Sequence, residues 1–241
     1  MRCRGPACSV GSVLAVPTAL ITGAGGGIGS AVATALAPTH TLLLAGRPSA
    51  HLDALAARLG APTWPLDLAD QESIEAAAEP LAELDVLVHN AGVLYPGTVG
   101  ESSAEQWRAS FEINVTGAVA LTLALLPALR AARGQVVFIN SGAGQKVSAG
   151  MASYSASKFA LRAFADSLRT DEPSLRVTSI FPGRTDSEMQ RDLVAYEAHG
   201  EDHAYDPAKF LRPETVAATV AQAVLTPPDG HVHEVVIRPR G

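Results

Sequence analysis

The sequence predicts an α/β fold, a single-domain doubly wound sandwich in which a seven-stranded parallel sheet carries helices on both faces. Three observations lead there. From Thr18 onward, short β-rich runs alternate with longer helical patterns, the signature of right-handed βαβ units. Several of the short runs are apolar nearly throughout, as burial on both faces of a parallel sheet requires. The first run leads through a glycine-rich stretch directly into a helical pattern, the context in which such glycines carry meaning.

In chain order, strands are expected at TALIT (18–22), TLLLA (41–45), APTWPL (61–66), DVLVH (85–89), QVVFIN (135–140), RVTSIF (176–181) and HEVVIRP (233–239). Six helical stretches fill the gaps, at 27–37, 49–59, 71–84, 103–132, 153–170 and 213–225. The long stretch 183–212 shows no element of its own, and a loop of that length in a compact domain is usually functional. No internal repeat or low-complexity tract interrupts the alternation.

The 241 residues carry a net charge of -6 and no basic run, which argues against a surface built for nucleic-acid phosphates or anionic lipid. A small-molecule partner is expected instead. Both cysteines, Cys3 and Cys8, precede every element, so no disulfide framework is expected and a reducing cytoplasm suits the chain. The opening residues 1–16 place arginines before a mildly apolar stretch that Gly11 and Ser12 break, so a disordered extension is expected rather than a signal peptide. Val16, a residue that an alternative start codon encodes, stands just ahead of the first strand and also raises a start-site artefact. The apolar stretch 115–129 has 15 residues with Pro127 inside, too few to span a bilayer.

Two groups of residues carry chemistry. The run Thr22-Gly23-Ala24-Gly25-Gly26-Gly27-Ile28-Gly29 follows a strand and opens a helix. Glycine lets the backbone turn tightly and approach a pyrophosphate, while the helix N-terminus aims positive partial charge at it. Downstream stand Ser141, then Tyr154, then Lys158 four residues later. A tyrosine and a lysine at that spacing share a helix face, so the ammonium is expected to lower the phenol's pKa and ready it for proton transfer. At the end of the second strand Ala45-Gly46-Arg47-Pro48 offers no acid for a ribose 2′-hydroxyl, whereas Arg47 can pair with a 2′-phosphate, which favours NADP(H) over NAD(H).

The glycine run, His89-Asn90-Ala91-Gly92, Asn114 and the spaced Ser141, Tyr154 and Lys158 together resemble the short-chain dehydrogenase/reductases, over nearly everything from Pro17 onward. The resemblance implies a Rossmann domain over 17–241, an NAD(P) cofactor and a hydride transfer between it and a carbonyl/alcohol substrate. Gly23, Gly27 and Gly29 match the family's glycine pattern, and Thr22, Gly25, Ile28 and Gly46 lie beside them. Asp67 resembles the aspartate beside the adenine ring, with Leu68 adding a backbone contact. Small residues Ala91 and Gly92 let the ribose pass while Asn90 ties neighbouring strands. Asn114, Ser141, Tyr154 and Lys158 correspond to the family's catalytic tetrad. Tyr154 is then general acid in reduction, Lys158 holds the nicotinamide ribose and stabilises the tyrosinate, Ser141 donates to the substrate oxygen, and Asn114 anchors a water chain. A mid-helix Asn is also expected to kink its helix.

Pro182-Gly183 matches a further family motif, beyond which Ser187 stands where a threonine usually meets the carboxamide, with Thr185 nearby. The stretch 183–212 is then the substrate loop, and specificity is expected there and in Val93, Leu94, Gln145, Met151 and Arg184. His199 and His203 lack the order of a zinc motif, and no metal site is expected. Two alternatives remain: an NAD-specific dehydrogenase, and a dinucleotide-binding regulatory protein without turnover. A hydrolase is disfavoured because Ile139 to Ala143 lacks the GxSxG elbow. The apolar stretch 119–126 suggests a helix-pair interface, and the family commonly forms homodimers and homotetramers through such helices.

Overall fold

The computed structural model describes residues 16–199 and 204–240, so residues 1–15 of the expected N-terminal extension and His203 lie outside the described residues. Seven parallel strands form one sheet: β1 (Thr18–Thr22), β2 (Thr41–Gly46), β3 (Thr63–Pro65), β4 (Val86–His89), β5 (Gln135–Ile139), β6 (Arg176–Pro182) and β7 (Glu234–Ile237). Their spatial order is β3-β2-β1-β4-β5-β6-β7. The chain therefore reverses direction across the sheet between β1 and β4, and a crevice opens there beyond the carboxyl ends of the strands. Strands β1, β4 and β5 are buried almost throughout, which is why their sequences run apolar without alternation.

Helices α1 (Gly27–Leu36), α2 (Ala50–Leu59) and α8 (Pro213–Val224) cover one face. Val32, Leu36, Leu52, Leu55, Val216 and Val220 meet Ile21, Leu44 and Val88 there. Helices α3 (Gln71–Ala78), α5 (Gly117–Ala132) and α6 (Ala152–Asp171) cover the other, where Ile74, Leu121, Leu125, Leu129, Leu161 and Ala165 pack on Leu20, Leu87 and Phe138. The helical run Ala104–Ala132 is by length and composition apolar enough to cross a bilayer. Its α5 half lays Leu121, Leu125 and Leu129 into the core.

Four expectations need correction. Helix α3 ends at Ala78 rather than at 84, because Pro80 lacks the N–H that continued helix needs and its ring clashes with the preceding turn. Strand β3 keeps only three of six expected residues, with prolines at 62 and 65 unable to donate to a ladder. The expected helix over 103–132 is two helices, α4 (Ala104–Phe111) and α5, joined by a π-helical turn at Glu112–Thr116. The stretch 183–212 holds helix α7 (Glu188–Glu197), whose Ser187 side chain accepts the Gln190 N–H at 3.2 Å as an N-cap.

Candidate active site

The crevice at the β1/β4 reversal is a cavity of about 1600 Å³. It is larger than the roughly 300–1,000 Å³ of an ordinary small-ligand pocket and suits an elongated dinucleotide. At one end it is lined by Gly46, Arg47, Ser49, Asp67 and Leu68, along its floor by Thr22, Gly23, Gly25, Gly27, Ile28 and Asn90 to Val93, and at the far end by Tyr154, Lys158 and, from the start of α7, Ser187 and Met189.

The floor is built by a close approach of two loops. Gly23 takes φ +62, and a side chain there would come within 2.9 Å of Ala91 Cα. A Cβ on Gly29 would overlap Gly23 O and reach within 2.6 Å of Asn90 Nδ2. Those absences let Asn90 Nδ2 donate to Thr22 O at 3.0 Å and Gly23 O at 3.1 Å. Thr22 Oγ1 accepts the backbone N–H groups of Asn90 and Ala91 at 2.9 and 3.0 Å and donates to Val88 O at 3.3 Å. Three neighbours of Thr22, namely Val88, Asn90 and Ala91, thus fix the loop on which a pyrophosphate could rest at the α1 N-terminus. Gly29 itself lies behind this floor, as packing rather than lining.

Asp67 does not cap α3, which Asp70 does; its Oδ1 accepts the Ala69 N–H at 3.0 Å and orders the turn at the Arg47 end of the cavity. Arg47 is exposed at the same end, with no ion pair on it among the described residues. At the start of α7, Gly27 faces Asp186 O and the Ser187 side chain. Thr185 is buried and turned inward, donating to Gly183 O at 3.0 Å, so of these two hydroxyls it is Ser187 that lines the cavity. Pro182 and Gly183 stand behind it at the end of β6 and do not line the cavity.

Tyr154 and Lys158 sit one turn apart on α6, both buried. Lys158 Nζ donates to Ile139 O at 3.1 Å and lies 5.7 Å from the Tyr154 ring centroid. Burial brings Lys158 down to about 8. Burial also pushes the Tyr154 phenol up, while the neighbouring Ser141 side chain pulls it part of the way back. The expected lowering of the phenol by Lys158 is thus corrected: burial is the largest influence on Tyr154 and it raises the phenol.

Asn114 occupies the π-helical turn, where the shifted register aims its amide sideways. Its Oδ1 accepts the Val93 N–H at 2.8 Å, and its Nδ2 donates to Val93 O and to Ser157 Oγ, each at 2.9 Å. One amide therefore ties the loop after β4 to α6 beside Tyr154. The distortion is a π-turn rather than a simple kink. Ser157 went unread in the sequence, although its place between Tyr154 and Lys158 could have flagged it. His89 is fully buried, stacked on Phe138 with centroids 4.9 Å apart and hydrogen-bonded to Thr122 at 2.8 Å. Burial, with Lys158 adding to it, holds this ring neutral with a pKa of about 3.

A family model described as short chain dehydrogenase matches residues 17–198. The chain belongs to the short-chain dehydrogenase family. Among curated relatives, a glycine betaine reductase of Emericella nidulans is 36% identical over 239 residues; the match covers 92% of this chain but 18% of that protein's length. A benzil reductase ((S)-benzoin forming) of Saccharomyces cerevisiae is 34% identical, covering 86% of this chain and 89% of that one. Among solved structures, an alcohol dehydrogenase of the archaeon Thermococcus sibiricus complexed with 5-hydroxy-NADP superposes with a TM-score of 0.82 at 28% identity, covering 92% and 96% of the two chains. The short-chain oxidoreductase family and its nicotinamide-dinucleotide fold are thereby shown for this chain. The residues gathered around the cavity fit such a cofactor: the glycine floor leaves the room that side chains would fill, and the α1 N-terminus offers unpaired amides.

Proposed function

We propose that this protein is an NADP(H)-dependent oxidoreductase that interconverts a small-molecule carbonyl and its alcohol, with Tyr154 as the proton donor in reduction and acceptor in oxidation. The observation that carries this reading is that Tyr154, with Ser141 close enough to influence it, and Lys158 stand at the end of the same cavity whose opposite end presents the exposed Arg47. The cofactor, when bound, supplies the hydride. Tyr154 delivers its hydroxyl proton to the substrate oxygen, and Ser141 donates a hydrogen bond to that oxygen as negative charge grows on it. Lys158, with one N–H spent on Ile139 O, keeps two for ribose hydroxyls and stabilises the tyrosinate by its charge. The π-turn beside Asn114 supports its backbone anchoring a water that returns a proton to Tyr154.

NADP is favoured over NAD by Arg47 and by the absence of an acid at 45–48. The Thermococcus protein's 5-hydroxy-NADP and the benzil reductase's ketone support the cofactor and the substrate class respectively. Homodimer or homotetramer assembly is supported by Leu123 on α5, 59% exposed, and Phe159 on α6, 40% exposed. The test is fluorescence titration with NADPH and NADH, followed by NADPH absorbance loss over a panel of ketones and aldehydes. Tighter NADPH binding with turnover on one class is expected; binding without turnover on any carbonyl leaves the regulatory alternative standing instead.

A further inference from the structure

Ser141 follows β5 and caps a single 3-10 turn, Gly142–Gly144, with its hydroxyl accepting the Ala143 N–H at 3.1 Å. The inner flank of this turn is fixed by Asn140, whose Oδ1 accepts the Ser141 N–H at 2.8 Å and whose Nδ2 donates to Lys158 O at 3.1 Å. The outer flank is held by a residue from the far end of the chain. Arg238, the first residue past β7, lays its guanidinium against Gly142, with Cζ and Nη2 each 3.3 Å from where a side chain on that glycine would begin. Nη2 donates to Gln145 Oε1 at 3.0 Å, and Nη1 donates to Phe181 O at 2.7 Å and Ile237 O at 3.1 Å.

The base of this brace is closely packed. Gly183 N donates to Ile237 O at 2.7 Å, and Pro239 Cδ fills the space 2.8 Å from where a Gly183 Cβ would stand. Among the described residues no ion pair forms on Arg238, so its donors serve the turn and the strand ends rather than a counter-ion. A planar fork of fixed donors can span acceptors on three segments at once, which a single ammonium cannot.

We propose that Arg238 is a positioning residue for Ser141: by pinning the Gly142–Gln145 turn to the ends of β6 and β7, it holds the serine hydroxyl toward Tyr154 and the substrate oxygen. The proposal rests on the reading of Ser141 and Tyr154 given above. A hydroxyl that stabilises developing charge loses its effect when it is misplaced by about an ångström, so the cost falls on turnover rather than on binding.

The experiment is a double-mutant cycle in the full chain, with NADPH and the best carbonyl of the panel. Arg238→Ala is expected to lower kcat about 10- to 100-fold while the NADPH Kd and the substrate KM stay within about twofold. Arg238→Lys recovers little of the loss. In a Ser141→Ala background, Arg238→Ala is expected to cost less than about twofold further, because its effect is transmitted through the serine. Independent, multiplying losses overturn the proposal, as does an unchanged kcat in Arg238→Ala. Should that variant fail to fold, Gln145→Ala breaks the brace at the turn alone and enters the same cycle, with the same expected coupling and the same contradicting result. A wild-type protein without carbonyl reduction, or Ser141→Ala with full activity, overturns the functional reading itself, whereas additive losses in an active wild type overturn only the role of Arg238.

Discussion

Asn114→Ala removes three hydrogen bonds at once from a site that is 1% exposed: two with the Val93 backbone at 2.8 and 2.9 Å and one to Ser157 Oγ at 2.9 Å. A buried hydrogen bond contributes on the order of 1 kcal/mol net, and the stranded Val93 N–H and C=O add a desolvation penalty. Ser157 Oγ still donates to Tyr154 O at 2.8 Å, so it is not left bare. The sum is a destabilisation of about 3 kcal/mol, a large share of the roughly 5–15 kcal/mol that holds a domain together. Asn114→Asp keeps the acceptor for Val93 N–H, loses both donors and sets a carboxylate toward Val93 O, so it is expected to cost as much. Urea denaturation reads both variants, with a lowered midpoint and an unchanged slope expected. Turnover falls as well, because the amide ties the Gly92-Val93 loop to the helix bearing Tyr154. A midpoint for Asn114→Ala within about 0.5 kcal/mol of wild type would refute the reasoning, since it would mean that the three bonds carry no net stability.

Three more outcomes test other parts of the site. Lys158 is held near 8 against an ordinary 10.5, so between those values the unfolded chain binds the extra proton and stability rises with pH. Lys158→Met is therefore expected to be more stable than wild type below pH 8, by a few kcal/mol, with the advantage shrinking toward pH 10.5; urea melts across that range showing a constant difference contradict it. Gly29→Ala forces its new methyl onto Gly23 O and Asn90 Nδ2, and a loss of about 1–3 kcal/mol in urea denaturation together with weakened NADPH binding is expected. Arg47→Glu is expected to weaken NADPH binding at least about tenfold, roughly 1.4 kcal/mol, while leaving NADH nearly unchanged; equal effects on both cofactors in a fluorescence titration would remove Arg47 from the 2′-phosphate.

The sheet was legible because its strands are two-sided and apolar, and all seven were placed to within two residues at either end. Strand β3 was overdrawn because prolines at 62 and 65 read as neutral in an apolar run but cannot join a ladder. Helix α7 escaped notice because its polar and apolar residues mix without a clear stripe, although Ser187 followed by Gln190 was a usable cap signal. The placing of Tyr154 and Lys158 one turn apart on a helix was legible through spacing. Their electrostatics were not, because the direction of the Tyr154 shift depends on burial, which no local spacing reports. The role of Ser157, and the reach of Arg238 across 96 positions to the turn after Ser141, belong to tertiary structure alone.

The most direct test of the account is the rate of NADPH-dependent carbonyl reduction in Tyr154→Phe. Phenylalanine keeps the ring beside Lys158 and removes only the hydroxyl. The expected result is wild-type stability and NADPH affinity with turnover lowered by at least about 100-fold, the share that general acid catalysis supplies. Turnover within about threefold of wild type would contradict the central claim and move proton delivery to another group.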